Sequence, residues 1–301
     1  MKKYIKGPIR QHTVPRLYLK NFDIDGIKQL YVLDKKWCKL YKRGIKNISV
    51  INNFYTCNIG ENNNYEWENF YAREVEPDFE KALSELISKT SSVLVMEGAS
   101  VLQEEVKRIL AKGMVHQLYR GKIARQYENR RSNELLSKVI KKGRDQFKNN
   151  KKVVTYLKNF QANENFFKEI YAQIATSGHE NLDMFFLDRT WIVYKSNGDD
   201  IFITSDNPVM FMNNVTLNAT PFQNSLLNPT TVIYFPISSY LMLALYHQDY
   251  MFKKMKKFAN KMIFANSRMV STFNKKQLEQ CDSQVYAGRE ETLKYYLSRE
   301  F

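Results

Sequence analysis

Ile201-Phe202-Ile203-Thr204-Ser205-Asp206-Asn207-Pro208-Val209 carries an apolar strand without interruption into a Ser-Asp-Asn-Pro turn. Just before it, Trp191-Ile192-Val193-Tyr194-Lys195 is followed by Ser196-Asn197-Gly198-Asp199-Asp200, and Asn-Gly between two β-rich runs is a hairpin signal. The two runs are expected to pair as a hairpin that aims Asp206 out of a sheet end. Polar groups at the lip of a rigid strand are where sites are built, yet Asp and Asn before Pro also make ordinary turns by bonding their own backbone.

Working outward, 230–235 and 240–246 read as two buried strands broken at Pro236-Ile237-Ser238-Ser239, with a basic helix over 249–267 and a last short strand at Val285-Tyr286-Ala287. Near the other end, 29–33 and 37–41 flank Asp34-Lys35-Lys36 as a second hairpin, and 48–51 adds a strand. Between these β-rich ends the period is helical. Trp67, Phe70, Tyr71 and Val75 recur at helical spacing, Pro77 marks a helix restart with acids in its first turn, and 99–127 reads as one long helix. The expected fold is α+β, with a mixed or antiparallel sheet built from N- and C-terminal segments around a large helical middle. The expected organisation is one domain over 1–301, mostly β over 1–60, a helical insertion over 66–190, and a β-rich 191–301 with a C-terminal helix.

At 301 residues with 44% hydrophobic content the chain can bury a substantial core. Its start reaches polar residues too soon for a secretory leader, and its longest apolar run, 232–246, is interrupted by Pro236, Ser238 and Ser239 and is too short to span a bilayer. A soluble, cytoplasmic protein is expected. Cys38, Cys57 and Cys281 are scattered, and His12, His116, His179 and His247 form no metal-binding spacing, so any metal would sit mainly on oxygen ligands. The net charge is +15, but its distribution says more than its size. Residues 104–158 carry sixteen Lys/Arg against five acids, and 61–97 carry nine acids against three Lys/Arg. Charge is therefore segregated along the chain.

Several polar residues stand out. Gly113, Gln117, Arg120 and Ala124 fall at three- and four-residue steps beside the stripe Val106, Ile109, Leu110, Met114 and Leu118. An Arg at a core edge must be paired, and Asp206 or a Glu near residue 76 is the candidate partner. Glu68, Glu76 and Glu80 line one side of their region or simply complement a helix dipole. Arg125, Arg130, Arg131, Lys141, Lys142, Arg144, Lys151 and Lys152, interleaved with apolar residues, form a helical pair with a basic face that is either solvated surface or a grip on phosphate.

The stretch His12-Thr13-Val14-Pro15-Arg16-Leu17-Tyr18-Leu19-Lys20-Asn21-Phe22 resembles the opening HxxPRxYLxxF of the bacterial domain-of-unknown-function family 4238. Val75-Glu76, Gln117-Leu118-Tyr119-Arg120, Phe202–Val209 and Phe235-Pro236-Ile237-Ser238 resemble, in order, its hydrophobic-Glu pair, Gln-x-x-Arg helix, FITSDNPV segment and Phe-Pro-Leu-Ser. Where the family helix continues with Thr-Pro, this chain has Gly121-Lys122. The resemblance implies that His12, Arg16, Glu76, Gln117, Arg120, Ser205, Asp206 and Asn207 act as one group.

Three functions fit that group. As a phosphodiester hydrolase of nuclease type, with a defence or toxin role, the protein would use Glu76 and Asp206 to hold Mg²⁺ or Mn²⁺, His12 as acid or base, and Arg16 or Arg120 on phosphate charge. As a non-enzymatic protein it would bury the same group as a structural network and bind nucleic acid or an acidic partner through its basic face. As a small-molecule binder it would place Arg16 and Arg120 on an anionic nucleotide, with Tyr18 or Trp191 stacked on the base. An open cleft that gathers His12, Arg120 and Asp206 favours the enzyme, and a sealed, saturated group favours the scaffold.

Overall fold

The computed structural model of the chain describes residues 8–59, 62–91, 95–160, 164–177, 182–221 and 223–300; His179 and Gly60-Glu61 lie outside them. Strand β1 (Arg10–His12) leads into a short helix α1 (Arg16–Leu19) and a 3₁₀ turn (Lys20–Phe22). The hairpin β2 (Gln29–Asp34) and β3 (Lys39–Gly44) follows, then β4 (Val50–Asn52), β5 (Cys57–Ile59) and β6 (Asn62–Asn64). The helical middle comprises α2 (Glu66–Phe70), α3 (Glu76–Ser91), α4 (Glu104–Arg120), α5 (Lys122–Gln146), α6 (Lys151–Asn159), α7 (Glu164–Ser177) and α8 (Met184–Leu187). The chain then returns to strands β7 (Thr190–Ser196), β8 (Thr204–Ser205), β9 (Met210–Asn213), β10 (Thr231–Ser238), β11 (Leu241–Tyr246) and β12 (Met262–Ala265), and closes with α9 (Ser267–Gln280), β13 (Gln284–Ala287) and α10 (Glu290–Glu300). The fold is α+β.

Among the described residues the larger sheet has strand order β12-β7-β11-β10-β9, antiparallel except for the parallel β12–β7 edge. Successive strand side chains point to opposite faces, and here both faces are covered. Trp191, Val193, Ile233, Phe235, Leu243 and Leu245 pack with Phe79, Leu83, Leu110 and Met114 of α3 and α4. The alternate residues Ile192, Tyr194, Val232, Tyr234, Met242 and Ala244 pack with Phe252, Val270 and Phe273 on the other side. That is why these strands are continuous apolar runs. The smaller sheet, β3-β2-β13-β8, joins residues from both ends of the chain.

Four local expectations are corrected. The 191–205 hairpin does not form: β7 pairs with β11 and β12, and β8 pairs with β13 in the other sheet. Both edges of β7 are taken by long-range apolar partners, so Ile201-Phe202-Ile203 leaves the strand's side and bonds elsewhere, Phe202 N–H to Ser239 O at 2.8 Å and Ile203 N–H to Asn274 Oδ1 at 3.0 Å. Pro236 lies inside β10 rather than ending it, beside a register shift between Pro236 and Ser238 where its missing N–H is tolerated. The helix read over 99–127 breaks at Gly121, whose extended backbone (φ −83°, ψ 159°) separates α4 from α5. The basic helix read over 249–267 is a 3₁₀ segment, Tyr250–Phe258, followed by β12.

Two features aim α4. A Cβ on Gly113 would fall 2.1 Å from the Phe79 ring, so glycine lets α4 close onto α3. Between α2 and α3 the residues Tyr71–Val75 form a π turn, whose i→i+5 hydrogen bonding widens the coil beyond the 3.6 residues of an α-helical turn. Pro77 follows at the second position of α3. Tyr71 and Glu76, five apart, thereby reach one partner on α4.

Candidate functional site

That partner is Arg120. The residue is 3% exposed, and its guanidinium meets Glu76 Oε1 at 2.6 Å and lies over the Tyr71 ring at 4.5 Å. Its Nε donates to the His12 carbonyl at 3.0 Å, and one turn earlier Gln117 Nε2 donates to the Thr13 carbonyl at 3.1 Å. The Tyr55 hydroxyl bridges the carbonyls of His12 (3.2 Å) and Arg120 (3.0 Å). The HxxPR segment is thus clamped by main-chain bonds onto the Gln-x-x-Arg helix. Burial opposes the charge on Arg120, but Tyr55, Glu76 and Glu68 outweigh it and hold the group protonated. Burial, and then Arg120, act in opposite senses on Glu68, whose pKa is raised on balance.

The other motifs meet one residue further along. The Tyr18 hydroxyl donates to the Pro236 carbonyl at 2.6 Å and pairs with the Thr204 hydroxyl at 2.7 Å, while Ser239 Oγ donates to the Phe22 carbonyl at 3.1 Å. One tyrosine of the first motif therefore ties together the FITSDNPV strand and the Phe-Pro strand, one from each sheet.

Asp206 is occupied as an acceptor. Its carboxylate takes the N–H groups of Asp282, Ser283 and Gln284 and the Ser283 hydroxyl at 2.8–2.9 Å, fixing the entry to β13. Burial nevertheless pushes its pKa up to about 6. Ser205 and Asn207 face α9: Ser205 Oγ accepts the Asn207 N–H at 3.0 Å and Asn207 Nδ2 donates to Gln280 Oε1 at 3.1 Å. Gln277 Nε2 bonds the Asn207 carbonyl at 3.0 Å.

Arg120 accordingly finds Glu76 and not Asp206. Glu76 is paired with Arg120 and Asp206 with the 282–284 segment, and among the described residues no group of three or more His, Cys, Asp or Glu is placed to hold a metal ion. The cavity beside Asp206, about 340 Å³, is lined by Arg10, Arg43, Lys122, Asp282 and Tyr286 among others, but by neither His12 nor Arg120. Tyr18 and Trp191 are fully buried, and the Trp191 indole N–H is bonded to the Phe186 carbonyl at 2.9 Å, so neither ring is available to stack on a base. Arg16 is exposed.

His12 is half-buried, and its Nε2 has no hydrogen-bond partner. Burial, with Arg16 and Arg120 nearby, lowers its pKa from 6.5 to about 4. The unfolded chain therefore binds a proton that the folded chain rejects between those values, so this residue weakens the fold as pH falls from 6.5 through 4. The loss is about 2 kcal/mol once solvent screening is allowed for. Asp206, with its raised pKa, acts in the opposite sense between 3.8 and about 6. Urea titrations of wild type and His12→Gln from pH 7 to 4 separate the two: the variant is expected to lose less stability than wild type, and parallel profiles would contradict the assignment.

The basic block divides. Arg125 turns inward, its Nη1 donating to the Phe54 carbonyl at 2.7 Å with the guanidinium over the Phe54 ring at 4.6 Å, in place of the expected surface position. Arg130, Arg131, Lys141, Lys142, Arg144, Lys151 and Lys152 are exposed. Residues 129–160 contain no buried side chain and form an arm of the distal part of α5 with α6, held where Gly143 meets Leu157. The arm carries ten Lys/Arg against two acids. Phe147 and Tyr156 are exposed on it, at 47% and 67%. Among the described residues no helix is long and apolar enough to cross a membrane.

The sequence model of the family described as "Protein of unknown function (DUF4238)" matches residues 10–291. No curated protein and no solved structure gives a significant match.

Proposed function

Because the chain belongs to the DUF4238 family, whose description names no activity, we propose from the chain's own geometry that it is a nucleic-acid-binding protein gripping the phosphate backbone with the α5–α6 arm. The observation that carries this reading is the arm itself, with ten cations against two acids and no side chain committed to the core. The exposed length of α5, at about 1.5 Å per residue, runs ~27 Å and spans roughly eight phosphates of one strand. Phe147 and Tyr156 supply ring faces on which unpaired bases stack, which favours single strands.

What supports binding over hydrolysis is the state of the motif residues. A divalent cation needs carboxylate oxygens free to coordinate it. Glu76 is paired with Arg120, and Asp206 accepts four hydrogen bonds. The group His12, Gln117, Arg120, Ser205, Asp206 and Asn207 reads as scaffold under this proposal.

The test is the salt dependence of binding to a labelled 20-nucleotide single strand. About five phosphate contacts give a slope near −3.5 in log K against log salt. Charge reversal of exposed arm residues, Lys141→Glu with Lys142→Glu and Arg144→Glu, is expected to weaken binding at least about tenfold and flatten that slope. Unchanged affinity in the triple variant would remove the arm from the account.

A further inference from the structure

We propose that the cavity beside Asp206, at the end of the smaller sheet, binds a phosphate monoester, carried either by a free small molecule or by the end of a nucleic-acid strand. The cavity holds about 340 Å³ and draws its cations from three separate elements: Arg10 of β1, Arg43 of β3 and Lys122 at the start of α5. Its two acids are already committed. Asp206 accepts the four donors of 282–284, and Asp282 pairs with Lys122 at 3.3 Å. The two arginines are not. Arg10 donates only to uncharged acceptors, Asn47 Oδ1 at 2.6 Å and the Lys46 carbonyl at 3.4 Å, and Arg43 makes no ion pair or hydrogen bond among the described residues. Two guanidinium charges therefore line the space without a counter-charge. A carboxylate or a phosphodiester brings a single negative charge, whereas a phosphate monoester brings about 1.5 to 2 near neutral pH and presents its oxygens to guanidinium forks in pairs.

The surroundings favour the same charge. Gly121 begins α5 without a side-chain cap, so the partial positive charge of a 25-residue helix lies next to Lys122. Across Lys122 a second cavity of about 300 Å³ has Arg125 and Lys168 in its wall and no carboxylate, and it gives the body of the ligand room beside Asn52 and Gln126. The wall is also set before any ligand arrives. Ser49 takes φ 52°, a left-handed conformation uncommon for a residue with a side chain. There its carbonyl accepts the Thr13 N–H at 2.9 Å and its hydroxyl meets the Tyr286 hydroxyl at 2.7 Å, which fastens the turn carrying Asn47 and hence Arg10. Backbone held in such a conformation clusters at ligand sites. A preformed site of this kind loses little freedom on binding.

Calorimetric titration of the full chain with ribose 5-phosphate and with ribose, at physiological salt, reads the phosphate requirement. Ribose 5-phosphate is expected to bind saturably and ribose at least about tenfold more weakly. Arg43→Gln is expected to weaken ribose 5-phosphate at least about tenfold with an unchanged circular dichroism spectrum, and Lys81→Gln, an exposed change on α3 outside both cavities, to leave it within about twofold. The source of the phosphate is read with a labelled 20-nucleotide strand made with and without a 5′-phosphate. Tighter binding of the phosphorylated strand, lost in Arg43→Gln, assigns the strand end; equal binding of the two strands beside saturable ribose 5-phosphate assigns a free small molecule. No phosphate preference in either comparison, or a preference that Arg43→Gln leaves intact, would overturn the proposal. Only the strand-end source rests on the arm reading, and the ribose 5-phosphate titration contains no strand, so either proposal can fail without the other.

Discussion

Arg120→Ala is expected to destabilise the fold by about 3–5 kcal/mol, because it removes one partner of a largely buried ion pair and leaves the other behind. The value should fall toward the lower end, since the Glu76 side chain is 28% exposed and can recover some water. The same change strips the His12 carbonyl of its Nε donor and Tyr71 of its cation. Arg120→Lys keeps the charge but not the planar fork that reaches Glu76 and the His12 carbonyl together, so most of the loss should remain. In urea unfolding both variants should show an early midpoint. A catalytic arginine in an open cleft would behave otherwise, losing activity while the midpoint stayed near wild type.

The second large effect is expected at Asp206. Its two oxygens accept four hydrogen bonds, three of them from consecutive backbone N–H groups of 282–284. Asp206→Asn replaces one oxygen with an amino group that faces donors, so it should cost nearly as much as Asp206→Ala, about 3 kcal/mol or more. The damage should be local first. Amide exchange should accelerate in β13 and β8, which this latch aligns, before it does in β10 and β11. A variant that kept wild-type exchange in β13 would contradict the latch.

Much of this site was legible in the sequence, but by different routes. The 3.6-residue spacing placed Gln117 and Arg120 on one flank of a helix, and the need of a core-edge Arg for a counter-charge narrowed its partner to Asp206 or a Glu near residue 76. Glu76 is that partner because the π turn at Tyr71–Val75 rotates it toward α4, and no local sequence rule reveals that turn. The hairpin at Asn197-Gly198 failed for a different reason. Local turn chemistry was outweighed by pairing of β7 with β11 and β12, whose apolar runs bury both faces of the sheet. Gln277 and Gln280 were overlooked, though a signal existed: with Asn274 they occupy the inward stripe that Val270 and Phe273 begin on α9. Polar side chains in an apolar stripe need partners, and these find Ile203, Ser205 and Asn207.

The arm was legible as charge but not as shape. Sixteen cations could be counted over 104–158, yet only the structure separates Arg125, which props up Phe54, from the exposed set beyond residue 129. That separation makes a division of labour testable, with the motif residues holding the two sheets and the helices together and the arm meeting the ligand.

The most direct measurement is fluorescence anisotropy of a labelled 20-nucleotide single strand with wild type, His12→Gln and the Lys141→Glu, Lys142→Glu, Arg144→Glu variant, all confirmed folded by circular dichroism. The expected result is a His12→Gln affinity within about twofold of wild type and at least a tenfold loss in the arm variant. Loss in His12→Gln with full binding by the arm variant would reverse the assignment and return the motif group to the ligand.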